Sequence, residues 1–178
     1  MYTFSLNGVE IAATYDTEQP RGMQEYAYLP RFGWKMRLAQ TFDKLNYFAY
    51  GSEIGNGESY ADLYEYAVKK EYQTDVKNEY YPYAKPQESG SHYGTEYASL
   101  SNGEHHVAVY GSFSFSAIPY STQDLRRAKH DYELPAWEKT YLSVDGFMRG
   151  VGSNSCGPAL SEEYQVPDRG EFSFFVAL

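Results

Sequence analysis

The 178-residue chain carries one cysteine, 15 lysines and arginines, and no run of 18 apolar residues. A single cysteine excludes an internal disulfide and fits a reducing compartment. Binding to a phosphate backbone depends on clustered Lys and Arg that displace counterions. Here 24 acidic residues give a formal charge of −9, so nucleic acid is not an expected partner. The only adjacent basic pairs, Lys69-Lys70 and Arg126-Arg127, read as solvated faces. Without a long apolar run no membrane-spanning helix is expected, and the N-terminal residues lack the basic-then-apolar pattern of a secretory leader. A soluble, cytoplasmic protein follows as the expectation. No GK[ST] follows the glycines between Gly51 and Gly57, and no βαβ pattern surrounds them, which excludes a phosphate cradle.

What the chain has in quantity is aromatic residues, 18% of the sequence, with 20 tyrosines. Tyrosine joins a flat apolar ring to a hydroxyl, so it suits half-buried strands and sugar-binding surfaces alike. Most of these rings are expected to pack across strands. The length is that of one domain able to bury a substantial core.

Period-two alternation dominates. Tyr2 to Leu6 alternates, Asn7-Gly8 is a strong hairpin signal, and Val9, Ile11, Ala13 and Tyr15 resume the period. The next strand is expected at Trp34 to Leu38, with Trp34, Met36 and Leu38 inward and Lys35 and Arg37 outward. Further strands are expected at Asn46–Tyr50, Leu63–Val68 and Tyr93–Leu100. Ser101-Asn102-Gly103 marks a turn into His105–Tyr110, and Ser112–Ala117 alternates with its phenylalanines on the core face. His105 and His106 invite a metal reading. Adjacent residues on a strand point to opposite faces, so an exposed histidine beside a half-buried one is expected instead. Two more strands follow at Tyr141–Asp145 and Glu171–Leu178.

One helix stands out: Ser121 can cap the N–H of Asp124, Leu125 and Ala128 give a narrow apolar face through about His130, and Pro135 stops any extension. The sum is roughly ten strands and one short helix, an all-β, antiparallel two-layer β-sandwich.

The stretch with most chemistry is Thr140 to Tyr164. Gly146, Gly150 and Gly152 let the backbone approach a ligand or neighbouring strand closely, and Ser153, Asn154, Ser155 and Cys156 offer short polar groups. On these residue types alone a hairpin with Gly-rich connections is the favoured reading. The segment Asp145-Gly146-Phe147-Met148-Arg149-Gly150-Val151-Gly152-Ser153-Asn154-Ser155-Cys156-Gly157-Pro158 resembles the signature near the C-terminus of family 2 glycoside hydrolases, the bacterial lac-type β-galactosidases, in their small-chain domain. Tyr80-Tyr81-Pro82-Tyr83-Ala84-Lys85-Pro86-Gln87-Glu88-Ser89-Gly90 is similar to that family's Y-x-P-Y-x-x-P-Q-E-N-G. Phe115 to Leu125, followed by Ala128-Lys129-His130 and Glu133-Leu134, is similar to F-S-A-x-x-Y-x-x-x-D-L-x-x-A-x-H-x-x-E-L. Leu29-Pro30-Arg31-Phe32-Gly33 resembles a short P-R-x-G. Glu58-Ser59-Tyr60-Ala61-Asp62 resembles part of G-P-x-E-x-Y-x-D-R, but has no G-P and carries Leu63 where that pattern has arginine.

The resemblance implies a single domain over residues 1–178, part of a galactose-mutarotase-like super-sandwich whose N-terminal strands lie upstream, so that the chain is truncated at its N-terminal side. It implies that both catalytic glutamates sit in an upstream (β/α)₈ barrel. Magnesium and sodium, common in that family, would bind at sites outside this chain, with no cofactor inside it. It further implies upstream domains, a carbohydrate substrate and a homo-oligomer as partners. Within the substrate pocket it assigns sugar contacts to Cys156, Asn154 and Ser155, Cys156 standing where some relatives have a stacking tryptophan. A thiol cannot supply an aromatic platform, and Cys156 reads equally as a small buried hydrophobe. His130 and Glu133 are expected to orient the helix.

Two other function classes fit the residues. A stand-alone carbohydrate-binding sandwich would present a row of exposed aromatics. A mutarotase-like epimerase would need a His acid and a Glu base converging in a cleft, drawn from His92, His106, His130 and Glu88.

Overall fold

The computed structural model describes residues 1–5, 7–17, 29–50, 69–149 and 165–178. The fold is antiparallel β throughout. Strand β1 (Tyr2–Ser5) and strand β2 (Gly8–Asp16) form the opening hairpin, Ser5 pairing with Gly8. Then come β3 (Arg31–Ala39), β4 (Lys44–Tyr50), β5 (Lys69–Asp75), β6 (His92–Ser101), β7 (His106–Ile118), helix α1 (Thr122–Arg127), β8 (Lys139–Met148) and β9 (Arg169–Ala177). The expected strand at Leu63–Val68 lies outside the described residues.

Seven strands run in the order β1-β2-β9-β7-β6-β4-β5, and β8 with its neighbour β3 branches off β7. The branching follows from the length of β7. Its first half pairs with β9 at Ala108–Gly111, while its second half pairs with β8 at Ser114–Ile118. The two partners lie on the same side of β7, so the sheet splits into layers there. The β3-β8 layer folds over β2-β9, and aromatic rings fill the gap. Phe32 meets Tyr15 at 4.2 Å and Phe172 at 5.6 Å, and Trp34 meets Phe174 at 5.6 Å. Such edge-on and tilted pairs suit the ring quadrupole. This is the two-layer sandwich that the alternation predicts.

Both ends of the sandwich share one core, in which Leu45, Leu100, Val109, Phe115, Leu142, Val144, Phe174 and Val176 are buried. Burying a side chain of this size stabilises by roughly 1.5–3 kcal/mol. On β3, Trp34, Met36 and Leu38 turn toward the core while Lys35 and Arg37 stay exposed, as their spacing predicts.

Three expectations need correction. Two strands were expected at His105–Tyr110 and Ser112–Ala117; they are one strand, β7. Gly111 takes φ +154° against Phe174 of β9, and the ladder continues through it. Lys69 and Lys70 are half-buried residues of the edge strand β5 rather than a plain solvated face, because their ammonium groups lie over the Tyr50 and Tyr72 rings. Helix α1 ends at Arg127 rather than near His130. Ala128 is extended, at φ −66° and ψ 132°, because Leu125 and Ala128 give one apolar turn and nothing to pack a second.

Candidate functional site

Four of the motif segments meet in space. Arg31 opens β3, Asp145 lies in the second half of β8, Glu88 belongs to the segment joining β5 to β6, and Thr122 begins α1. The Arg31 guanidinium donates through Nη2 to Asp145 Oδ2 at 2.9 Å and through Nε to Oδ1 at 3.1 Å, and its Nη1 donates to Glu88 Oε2. The other Glu88 oxygen accepts from Thr122 Oγ1 at 3.0 Å, and that hydroxyl accepts from Lys35 Nζ at 2.6 Å. The planar fork of arginine suits this two-sided grip on carboxylates.

Local structure holds each member. The side-chain oxygen of Ser121 accepts from Asp124 N at 3.1 Å, and the Asp124 carboxylate accepts from Ser121 N at 3.0 Å, a complete capping box that fixes Thr122 at the helix start. At the other end of α1, Lys85 Nζ donates to the carbonyls of Leu125, at 3.1 Å, and Ala128. Gly90, at φ +67°, passes so close to the Glu79 carbonyl that a Cβ would collide with it. Only glycine combines that left-handed backbone with that approach. Gly33 likewise lies flush against the Val144 and Asp145 backbone, which brings β3 close enough for Arg31 to reach across.

Asp145 is only 3% exposed. Burial pushes its carboxyl above the usual range, against the pull of Arg31. For Arg31, burial lowers the pKa, but the charges of Asp145 and Glu88 outweigh it and the net shift is upward. The guanidinium thus stays charged between two carboxylates. Both oxygens of Glu88 and of Asp145 are occupied, so the cluster has neither a free base nor a free acid to offer a substrate. Its chemistry is that of a brace. It ties the start of β3 to the end of β8, where Arg149 N also donates to the Pro30 carbonyl at 3.1 Å. The next residues along the chain are 150–164.

Asn154, Ser155 and Cys156, the residues assigned to sugar contact, lie outside the described residues, as does the Glu58–Asp62 motif. His130 stacks on the exposed ring of Tyr132 at 5.2 Å, and the Glu133 carboxylate accepts from Lys129 N at 2.8 Å. Both therefore serve the turn after α1. His105 and His106 are both exposed, where one was expected to be half-buried. Among the described residues no group of three or more His, Cys, Asp or Glu could hold a metal ion.

A buried titratable pair was not visible in the sequence. His92 Nε2 lies 2.5 Å from Glu79 Oε2, both buried, with the imidazole between Tyr47 at 4.1 Å and Phe115 at 4.8 Å. Burial, then the nearby Glu79 and Tyr72, drives the Tyr47 hydroxyl far above its ordinary pKa. An epimerase needs its His and Glu in a cleft. Here Glu88 is committed to Arg31, and the partner of His92 is a core glutamate.

Among known proteins, the family described as beta galactosidase small chain matches residues 1–178. The chain is 41% identical to a β-galactosidase of Actinobacillus pleuropneumoniae over 158 residues, which cover 89% of this chain and 14% of that protein. It is 32% identical to a β-galactosidase of Streptococcus thermophilus over 187 residues, 96% of this chain and 18% of that protein. For a β-galactosidase of Staphylococcus xylosus the identity is 35% over 164 residues, 90% of this chain and 16% of that protein. The chain spans less than a fifth of the length of these relatives. With its motif segments gathered on Arg31 and its full length matched, the chain belongs to the β-galactosidase small-chain family.

Proposed function

We propose that this chain is the C-terminal β-sandwich portion of a β-galactosidase, walling the substrate pocket and making subunit contacts during hydrolysis of terminal β-D-galactosides such as lactose. The observation that supports this reading best is the convergence of four family-like segments on the Arg31 brace, at the base from which residues 150–164 depart. A retaining glycosidase needs two carboxylates about 5–5.5 Å apart, one as acid and base and the other as nucleophile. Asp145 and Glu88 are both bound by the Arg31 guanidinium, with Glu88 also held by Thr122, and are not placed to fill those roles. We assign the catalytic pair to upstream barrel residues, and any magnesium or sodium to sites outside this chain. Asn154, Ser155 and Cys156 are our candidates for contact with the sugar, the first two through hydrogen bonds. The partners are then the upstream domains of the same enzyme and further copies of it, in the cytoplasm.

The test is hydrolysis of a chromogenic β-galactoside. The purified chain alone should leave it intact, and mixing with the upstream remainder of the enzyme should restore turnover. Hydrolysis by the chain alone, or a mixture that co-elutes but stays inactive, overturns the reading.

A further inference from the structure

The face of the long sheet that turns away from the β3-β8 layer has a composition the brace does not explain. One residue from each of six adjacent strands stands in register across it: Glu71, Phe48, Tyr97, Tyr110, Phe175 and Glu10. Directly paired residues share a face, so this is a row of four aromatic rings closed at each end by a carboxylate. Tyr97 and Tyr110 lie 6.1 Å apart, and Tyr110 is 48% exposed. Beside the row, Tyr50 and Tyr93 stack at 6.1 Å and 17°, with Tyr93 47% exposed. The cation at this corner, Lys69, is held over the Tyr50 ring and by Glu96 at 2.8 Å.

The flanks of the row are small and polar. Asn46, Gln73 and Ser99 border it on one side, where Ala108 and Ala177 complete the neighbouring row. Ser112 and Ser173, both exposed and each two residues from a ring of the row, border it on the other. None of the five polar side chains makes a hydrogen bond among the described residues. The row of rings is therefore flanked by two lanes that carry unused donors and acceptors, one of them shared with Ala108 and Ala177.

We propose that this face is an accessory carbohydrate-binding surface that takes a neutral oligosaccharide laid across the strands. Strands are spaced about 4.8 Å apart, close to the advance of a sugar chain per pyranose ring, so successive rings of the ligand meet successive aromatics. Aromatic faces receive the apolar C–H side of each sugar, and the amides and hydroxyls of the lanes receive its hydroxyl groups. Glu71 Oε1 already accepts from the Tyr97 hydroxyl at 2.6 Å; its other oxygen and the Glu10 carboxylate accept hydrogen bonds from sugar hydroxyls, and both charges repel phosphate, sulfate and acidic peptides. A protein partner would want a continuous apolar centre depleted of charge. Here every ring is bordered by hydrogen-bonding groups instead. The surface lies on the opposite side of the sheet from the layer that carries Arg31, and its assignment does not depend on the function proposed above.

The experiment titrates the purified chain with a β-linked galactose tetrasaccharide and with cellotetraose, followed by amide chemical shifts. Saturable shifts confined to the row and its lanes are expected. Tyr97→Ala and Tyr110→Ala should each weaken binding about ten-fold, the worth of one ring contact, while Tyr110→Phe should bind within two-fold of the parent chain. Circular dichroism checks that each variant is folded, and the Phe variant keeps the test valid if an Ala variant is not. The proposal is overturned if neither sugar gives saturable shifts at millimolar concentration, or if both Ala variants bind as the parent does. It also fails if sedimentation shows two copies of the chain covering this face with each other.

Discussion

Arg31 and Asp145 are 114 residues apart in the chain and share a two-pronged ion pair, Nη2 to Oδ2 at 2.9 Å and Nε to Oδ1 at 3.1 Å, with the carboxylate almost wholly buried. Removing Arg31 alone leaves the buried Asp145 charge uncompensated, whereas removing both leaves only the more exposed Glu88 without its cation. Arg31→Ala should destabilise the fold by about 3–5 kcal/mol, and Arg31→Ala with Asp145→Leu by clearly less. Urea unfolding of the two variants decides it; equal losses would mean that the pair is not coupled.

Gly90 offers a test of the brace that leaves its charges in place. Adding one methyl in Gly90→Ala forces a left-handed backbone onto alanine and drives a Cβ into the Glu79 carbonyl. A loss of more than about 1 kcal/mol is expected, the usual bound for such incompatible positions. The Glu88 contact should loosen with it, read as a shift of the Thr122 hydroxyl and amide resonances. A variant as stable as the parent would place no constraint on that turn.

His92 and Glu79 should behave as a unit. Leaving a buried polar group unpaired costs about 1–3 kcal/mol, more when it is charged. His92→Phe keeps an aromatic ring between Tyr47 and Phe115 but strands the Glu79 carboxylate, so it should be clearly destabilising. Combining it with Glu79→Leu should recover part of the loss. A double-mutant cycle by thermal unfolding measures the coupling, and simple additivity would show that the 2.5 Å contact has no energetic weight.

A pH effect follows from Tyr97. Its hydroxyl donates to Glu71 Oε1 at 2.6 Å, and this hydrogen bond, with burial second, raises its pKa from 10.0 to about 12. The folded chain keeps a proton that the unfolded chain has released. This contribution to stability is therefore complete below pH 10 and is lost as pH rises toward 12. In Glu71→Gln the Tyr97 ring carbon signal should titrate closer to pH 10 by NMR. An unchanged midpoint would remove Glu71 as the cause.

How much of this could be read from residues depends on the range of the interaction. Strand β3 was legible because Trp34, Met36 and Leu38 alternate with Lys35 and Arg37, and period two is a local signal. The capping box at Ser121 and Asp124 was half legible for the same reason. Strand β5 was not: Lys69 to Asp75 carries one large inward ring, Tyr72, since an edge strand needs little apolar material. The brace was hidden differently. Arg31, Glu88, Thr122 and Asp145 each sit in a quoted motif, yet the register of β3 on β8 and the closure of the 79–90 turn bring them together. A charged residue beside a glycine at the edge of a motif was the available signal. His92 with Glu79 gave none, because a buried polar contact between distant residues has no periodicity.

The pairing of β2 with β9 runs from Gly8 opposite Ala177 to Asp16 opposite Arg169. A ribosome adds about 5–20 residues per second, so the opening hairpin waits on the order of ten seconds before its hydrogen-bonding partner exists. During that interval Ile11, Ala13 and Tyr15 have no layer to enter, and an unpaired strand edge is a template for the wrong neighbour. Non-local ladders of this kind also fold slowly once synthesis ends. The yield of native chain in a cell should therefore depend on chaperone supply and on growth temperature more than its final stability alone would suggest.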